Sequence, residues 1–265
     1  MYSIHEAGEQ LAAAGLQRAV LVQAAPTLAE TEYLLSLAAK TTRVAGVVGW
    51  LPLTGALETL QQITTLRSLP GGETLVGVRP MLQDIEDDAY LIRPEVVESL
   101  AVLQGVERPL AFDALVHPRH LPVLLEFMQS AQRFDRPLTV VLDHLAKPEL
   151  NLGAQWGGWR AWKSALIQLA RYPNAVCKLS GLPAQAGASV ESETFRPFIE
   201  VALDCFGSER LLWGSDWPIV ALCSSMGAWL EAVEHCIARL SPIERDAILG
   251  ANAQRVYALR PMELG

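Results

Sequence analysis

The sequence predicts a parallel α/β fold rolled into a barrel. Three observations carry this. Seven short apolar runs stand out along the 265 residues, at 19–25, 44–50, 75–81, 110–118, 138–148, 175–183 and 210–218. They are near-continuous in their apolarity, as strands buried on both faces of a sheet are. Helical patterns fill the intervals, and successive runs begin roughly 25 to 37 residues apart, the pitch of a βα unit. Finally, six of the seven runs place one polar or ionisable residue late in the run. In a barrel the C-terminal strand ends converge on one mouth, whereas a flat sheet would spread them along a line.

Each strand is bounded by its own signals. "AVLVQAA" ends on Gln23 and is followed by "TLAETEYLLSLAAK", whose apolar residues recur near every 3.6 positions. "VAGVVGW" ends on Trp50 and alone lacks a polar strand-end residue. "LVGVRPM" ends on Arg79, and "LAFDALVHP" carries Asp113 between Phe112 and Ala114. "LTVVLDHLAKP" ends on Asp143 and His144, "AVCKLSGLP" carries Lys178, and "RLLWGSDWP" ends on Asp216. The turn signals "TTR", "GGE", "ERP", "FDRP" and "YPN" precede individual strands. Two helices close the chain, "MGAWLEAVEHCIARL" and "SPIERDAILGANAQRVYAL". The second opens on a capping box, with Ser241 as N-cap, Pro242 in the first turn and Glu244 three residues on.

Composition bounds the function. With 51% hydrophobic and 19% charged residues, the chain has the apolar material for a large core. A net charge of −8 offers no basic field for nucleic acid or an anionic membrane. No apolar run reaches the roughly 18 residues a membrane span needs. The start reads as neither signal peptide nor anchor, so the expected location is cytoplasmic. Cys177, Cys205, Cys223 and Cys236 form no C-x-x-C pair and read as reduced, packed thiols. No G-x-S-x-G, P-loop or strand-following G-x-G-x-x-G is present, which leaves serine nucleophiles and nucleotide binding without support.

The strand-end residues point to acid–base chemistry on a polar substrate. His144 can polarise a carbonyl, shuttle a proton or bind metal. Consecutive strand residues face opposite ways, so of Asp143 and His144 one should point into the barrel and the other toward the helices. Asp216 suits a general base or a metal ligand, or else an N-cap. Arg79 presents a planar fork for a carboxylate or oxyanion, or pairs internally with Asp113. His117 and His120 bracket "PR" at what reads as a helix start, a poor arrangement for a shared metal face. Trp156, Trp159 and Trp162 lie around another helix start, where they suit either the lining of the mouth or, for at least two of them, core packing.

The segments "GVRPMLQD" (77–84), "VVLDHLAKP" (140–148), "CKLSGL" (177–182) and "LLWGSDWP" (211–218) resemble the lactonase branch of the amidohydrolase superfamily, of the amidohydrolase-2 type. That branch includes L-fuconolactonase-like sugar lactonases and 2-pyrone-4,6-dicarboxylate lactonase. The resemblance implies a (β/α)8 TIM-type barrel, one domain over residues 1–265, that hydrolyses a small-molecule lactone at its C-terminal mouth. It implies Asp216 as the base that activates water and His144 as the group that polarises the lactone carbonyl. Arg79, Lys178, Gln23, Asp113 and Trp217 become substrate contacts. Some members use a divalent metal such as zinc and some use none.

Two departures qualify the resemblance. Pro80 follows Arg79 where the family commonly has His. The family's opening strand with its His-x-His pair has no counterpart in this sequence, so the eight-stranded barrel is expected here without its first strand. Only His144 and Asp216 then remain as metal ligands, fewer than the three of a catalytic zinc. The leading expectation is a metal-independent or weakly metal-dependent lactonase acting on a sugar aldonolactone. The alternatives are an inactive barrel remnant, its exposed sheet edges completed by a ligand or a second copy in a homo-oligomer, and a zinc-dependent aromatic acid decarboxylase.

Overall fold

The computed structural model describes residues 3–187 and 191–261. Seven parallel strands form one sheet in sequence order: β1 Ala19–Val22, β2 Val44–Gly49, β3 Leu75–Val78, β4 Ala111–Ala114, β5 Val140–Leu142, β6 Ala175–Leu179 and β7 Leu211–Trp213. Each lies within a run read from the sequence. Helices α1 Ile4–Ala13, α2 Leu28–Ala38, α3 Ala56–Ser68, α4 Pro94–Ala101, α5 Leu121–Ala131, α6 Trp159–Leu169, α7 Leu182–Ala186, α8 Ser192–Phe206 and α9 Met226–Cys236 alternate with the strands. The sheet curls in the manner of a TIM-type α/β fold. Among the described residues no ladder joins β1 to β7, so these two are its edges.

The two faces of the sheet follow from residue alternation. Val48, Val76, Ala111, Val141, Val176 and Leu212, one from each of β2 to β7, form an inner apolar layer with Tyr257. Their chain neighbours Val47, Leu75, Phe112, Val140, Cys177 and Leu211 join the larger core between sheet and helices. Cys177 is therefore a packed thiol, as its setting in the sequence implies.

The C-terminal helix breaks into α10 Pro242–Asp246, a π-helical turn at Ala247–Ala251 and α11 Asn252–Val256. The Ser241–Glu244 capping box forms with both reciprocal bonds. Asn252 donates to the carbonyls of Ser208 and Leu211 at 2.7 and 2.8 Å, tying this helix to the start of β7. The guanidinium of Arg18, just before β1, donates to the Arg260 carbonyl at 2.8 Å. The C-terminal segment thus links both edges of the sheet, and α1 packs on α9 outside it. No helix is long and apolar enough to cross a membrane among the described residues.

Candidate active site

Two residues beyond the inner apolar layer, alternation delivers a second layer of side chains. From Ala111 it reaches Asp113, from Val141 it reaches Asp143, and from Val176 it reaches Lys178. Asp143 therefore faces inward, and His144 meets Ser180 and Asp216 at the same strand ends, which corrects the expectation that one of the two points toward the helices. Lys178 Nζ lies 2.8 Å from Asp143 Oδ1 and also pairs with Asp113. Arg79 reaches Asp143 Oδ2 at 3.0 Å and donates its other Nη to the Gln23 carbonyl. Its partner is Asp143, not the Asp113 that the sequence offered as an internal alternative. The Tyr257 hydroxyl donates to both oxygens of Asp113, at 3.0 and 2.8 Å.

This layer is balanced and enclosed. Two carboxylates face two cations, and Asp113, Asp143 and Gln23 are fully buried. Burial alone would raise the Asp143 carboxyl, but Lys178 and Arg79 outweigh it and hold that group well below the usual carboxylate range. Burial wins at Asp113, whose single cationic partner leaves its carboxyl raised. Burial would lower Lys178, yet Asp113 and Asp143 keep it firmly protonated. The Gln23 amide donates to the Arg79 carbonyl at 2.5 Å. Of the residues expected to touch substrate, Gln23, Asp113, Lys178 and Arg79 thus have their side chains engaged beneath the mouth.

Above this layer lies a rim with a different character. After β5 the chain leaves extended geometry, and His144, Leu145, Ala146 and Lys147 all adopt positive φ, between 52° and 60°. Four consecutive non-glycine residues in the left-handed region are costly, about 1–2 kcal/mol each, and persist only where their surroundings fix them. Here the Trp162 indole donates to the Leu145 carbonyl at 2.8 Å, and the Lys147 amide closes the turn on the His144 carbonyl at 2.8 Å. This turn is how His144 reaches the mouth although its neighbour Asp143 also points inward.

His144 Nδ1 lies 2.7 Å from Ser180 Oγ, at the end of β6, and its Nε2 lies 3.8 Å from Asp216 Oδ1. Gly181 stands against the ring: a Cβ there would sit 2.6 Å from His144 Cγ, and its φ is +69°. Burial pulls the imidazole below its ordinary value, and Asp143 and Asp216 only partly offset this, which favours the neutral ring. Asp216 itself has φ 55° and a side chain 22% exposed. Its carboxylate caps no helix among the described residues, which sets aside the N-cap alternative. The Trp229 indole anchors the approach to it by donating to the Gly214 carbonyl at 2.9 Å. Trp217, half-buried, follows in a cis bond to Pro218. A cavity of about 410 Å³ lined by Ala184, Gly187, Leu222 and Cys223 opens between the loops after β6 and β7.

His120 has structural partners. It is buried and accepts the His117 amide at 3.0 Å, with Asp88 3.2 Å from its other nitrogen. No group of three or more His, Cys, Asp or Glu able to hold a metal ion occurs among the described residues. His144 and Asp216 alone fall short of a three-ligand zinc set. Sequence reading missed Ser180, Lys147 and Tyr257. The first two lie inside the motif segments, but nothing in the periodicity of a surface-type helix marks Tyr257.

The curled parallel sheet, with polar side chains at its C-terminal strand ends, has the TIM-type α/β architecture of the amidohydrolase class. The Amidohydrolase family profile matches residues 2–259, and the chain belongs to that family. It is 41% identical over 253 residues to a protein named L-fucono-1,5-lactonase from Burkholderia ambifaria, covering 94% of this chain and 82% of that one. A crystal structure of an amidohydrolase from Burkholderia multivorans with bound HEPES superposes with a TM-score of 0.88 at 34% identity, covering 98% of this chain and 89% of that one. The same amidohydrolase has also been crystallised with bound zinc. A putative 2-pyrone-4,6-dicarboxylic acid hydrolase from Pseudomonas putida shares the fold, with a TM-score of 0.74 at 24% identity, covering 98% and 88% of the two chains.

Proposed function

We propose that this chain opens a sugar 1,5-lactone by adding water to the ring carbonyl, with Asp216 as the base and His144 as its neutral partner. The observation that carries the reading is the Asp216–His144 pair at the rim of a chain 41% identical to an L-fucono-1,5-lactonase. At this identity over most of the chain, hydrolysis of a lactone is the activity the family assignment supports.

The chemistry follows from the groups at the rim. Asp216 takes a proton from water as the water oxygen bonds to the carbonyl carbon. In the Nε2–H tautomer, the Ser180 hydroxyl donates to Nδ1, and His144 presents an N–H to the mouth, where it orients water or the carbonyl oxygen. The tetrahedral adduct collapses, the ring C–O bond breaks, and the leaving oxygen takes the proton held by Asp216. The free acid then loses a proton to solvent. Arg79, Lys178, Asp113 and Gln23 support this pair from beneath by fixing Asp143 and the strand ends, and Trp217 borders the mouth as an apolar wall. A metal is left out of these steps because the described residues supply two of the three protein ligands of a catalytic zinc.

The test is acid release, followed with a pH indicator, across a panel of aldonolactones and 2-pyrone-4,6-dicarboxylate, with and without a chelator. Turnover of a sugar lactone that survives the chelator is expected. A folded protein that opens none of them would set the reading aside.

A further inference from the structure

The mouth contains three cations, and two of them are already neutralised. Lys178 is held between Asp113 and Asp143, with the Tyr257 ring 5.7 Å from its Nζ. Arg79 is held by Asp143. The third, Lys147, closes the left-handed turn that begins with His144. Its ammonium donates to the Gln83 side-chain oxygen, its one hydrogen-bond partner among the described residues. No described carboxylate lies within ion-pair distance of it. A lysine ammonium carries three donors, so two have no protein partner there.

We infer that Lys147 is the substrate-facing cation of this site and that it grips the carbonyl oxygen of the ring as that oxygen becomes anionic. The inference rests on the lactone-opening reading and sharpens it. The oxygen is neutral in the lactone, carries a full charge in the tetrahedral adduct and shares the charge of the product carboxylate. A cation aimed at it strengthens in exactly those two states and contributes little to the ground state.

Three features support this placement. The Lys147 ammonium bonds to Gln83 in the segment after β3, so it reaches from the C-terminal end of β5 to that of β3, on the end of the sheet that carries His144 and Asp216, and Asp216 is the charge that acts on it most strongly. Lysine in left-handed backbone is strained where glycine would be at ease, and such strain clusters at functional sites. The Gln83 backbone is anchored by its N–H, which donates to the Leu115 carbonyl at 3.0 Å, and its side-chain oxygen takes one of the ammonium's three donors. Burial lowers Lys147 from its ordinary value, as it does an ammonium with one neutral partner.

The test compares wild type, Lys147→Met and Lys147→Arg on L-fucono-1,5-lactone and on its open acid, L-fuconate. For Lys147→Met, kcat should fall on the order of 100-fold while KM stays near that of wild type. Product inhibition by L-fuconate should weaken roughly tenfold or more, and Lys147→Arg should restore part of it. Unchanged kcat and unchanged inhibition in Lys147→Met would overturn the inference while leaving the lactonase reading intact. Should wild type open no lactone, the lactonase reading fails by itself. Calorimetric binding of L-fuconate then decides on Lys147: loss of wild-type binding in Lys147→Met supports it, and equal binding, or none to wild type, overturns it. Lys147→Gln replaces Lys147→Met if the latter does not fold.

Discussion

The C-terminal end of the curled sheet holds two groups of charged residues that differ in backbone strain and in how fully each charge is paired. The lower group, Arg79, Asp113, Asp143 and Lys178, is buried, paired and capped by Tyr257. The upper group, His144, Lys147 and Asp216, is strained in backbone and incompletely partnered, with Lys147 and Asp216 partly exposed and His144 buried. Both groups sit at strand ends. What separates them is whether each charge has an internal partner. A buried charge with a partner stabilises its surroundings only as long as the partner remains, and its loss is severe. A charge at the rim without one is available for a substrate. The comparison teaches that convergence at a barrel mouth selects candidates, and that unsatisfied bonding capacity then selects among them.

The largest effect expected from breaking the comparison is at Asp216. Asp216→Asn should reduce kcat on L-fucono-1,5-lactone by about 10²- to 10⁴-fold, the usual worth of a general base, with the melting temperature nearly unchanged. Comparable turnover in the variant would move the base elsewhere. Lys178→Met should do the reverse. It leaves Asp113 and Asp143 facing each other in a buried site, and chemical denaturation should show a loss of about 3–5 kcal/mol. A variant as stable as wild type would mean that the lower layer is not the structural element described above.

Smaller effects sharpen the boundary between the groups. Tyr257→Phe removes one donor to a buried carboxylate and should cost about 2 kcal/mol in the same experiment, with kcat falling far less than in Asp216→Asn. The smallest concerns His144, which burial keeps below its ordinary value of 6.5. Its NMR titration midpoint should lie below that figure. Its folded value is lower than its unfolded one. The stability linked to it is therefore complete above pH 6.5 and declines as pH falls from there through the folded value. A midpoint at or above 6.5 would place His144 in a more solvated or more anionic setting.

Much of this was legible in the sequence. The seven strands declared themselves because parallel strands buried on both faces need continuous apolar runs, and no other element of that length does. The Ser241 capping box was legible because it is a local motif whose bonds form within four residues. Asp216 and His144 could be singled out as polar ends of such runs. The orientation of Asp143 could not be read by counting from His144, because the left-handed turn resets the alternation after residue 143. Counting from Val141 gives the observed face. Tyr257 was illegible because it meets Asp113 across 144 residues of sequence, and only the closing of the C-terminal helix under the sheet brings them together. The ion pairs of Arg79 and Lys178 with Asp143 and Asp113 are likewise tertiary, and counting along a strand does not reveal them.

The most direct test of the division between a structural lower layer and a reactive rim is the turnover of Asp216→Asn on L-fucono-1,5-lactone in a preparation whose melting temperature matches wild type. The account predicts a folded protein with kcat reduced by at least about 100-fold. Wild-type turnover from that folded variant would contradict it.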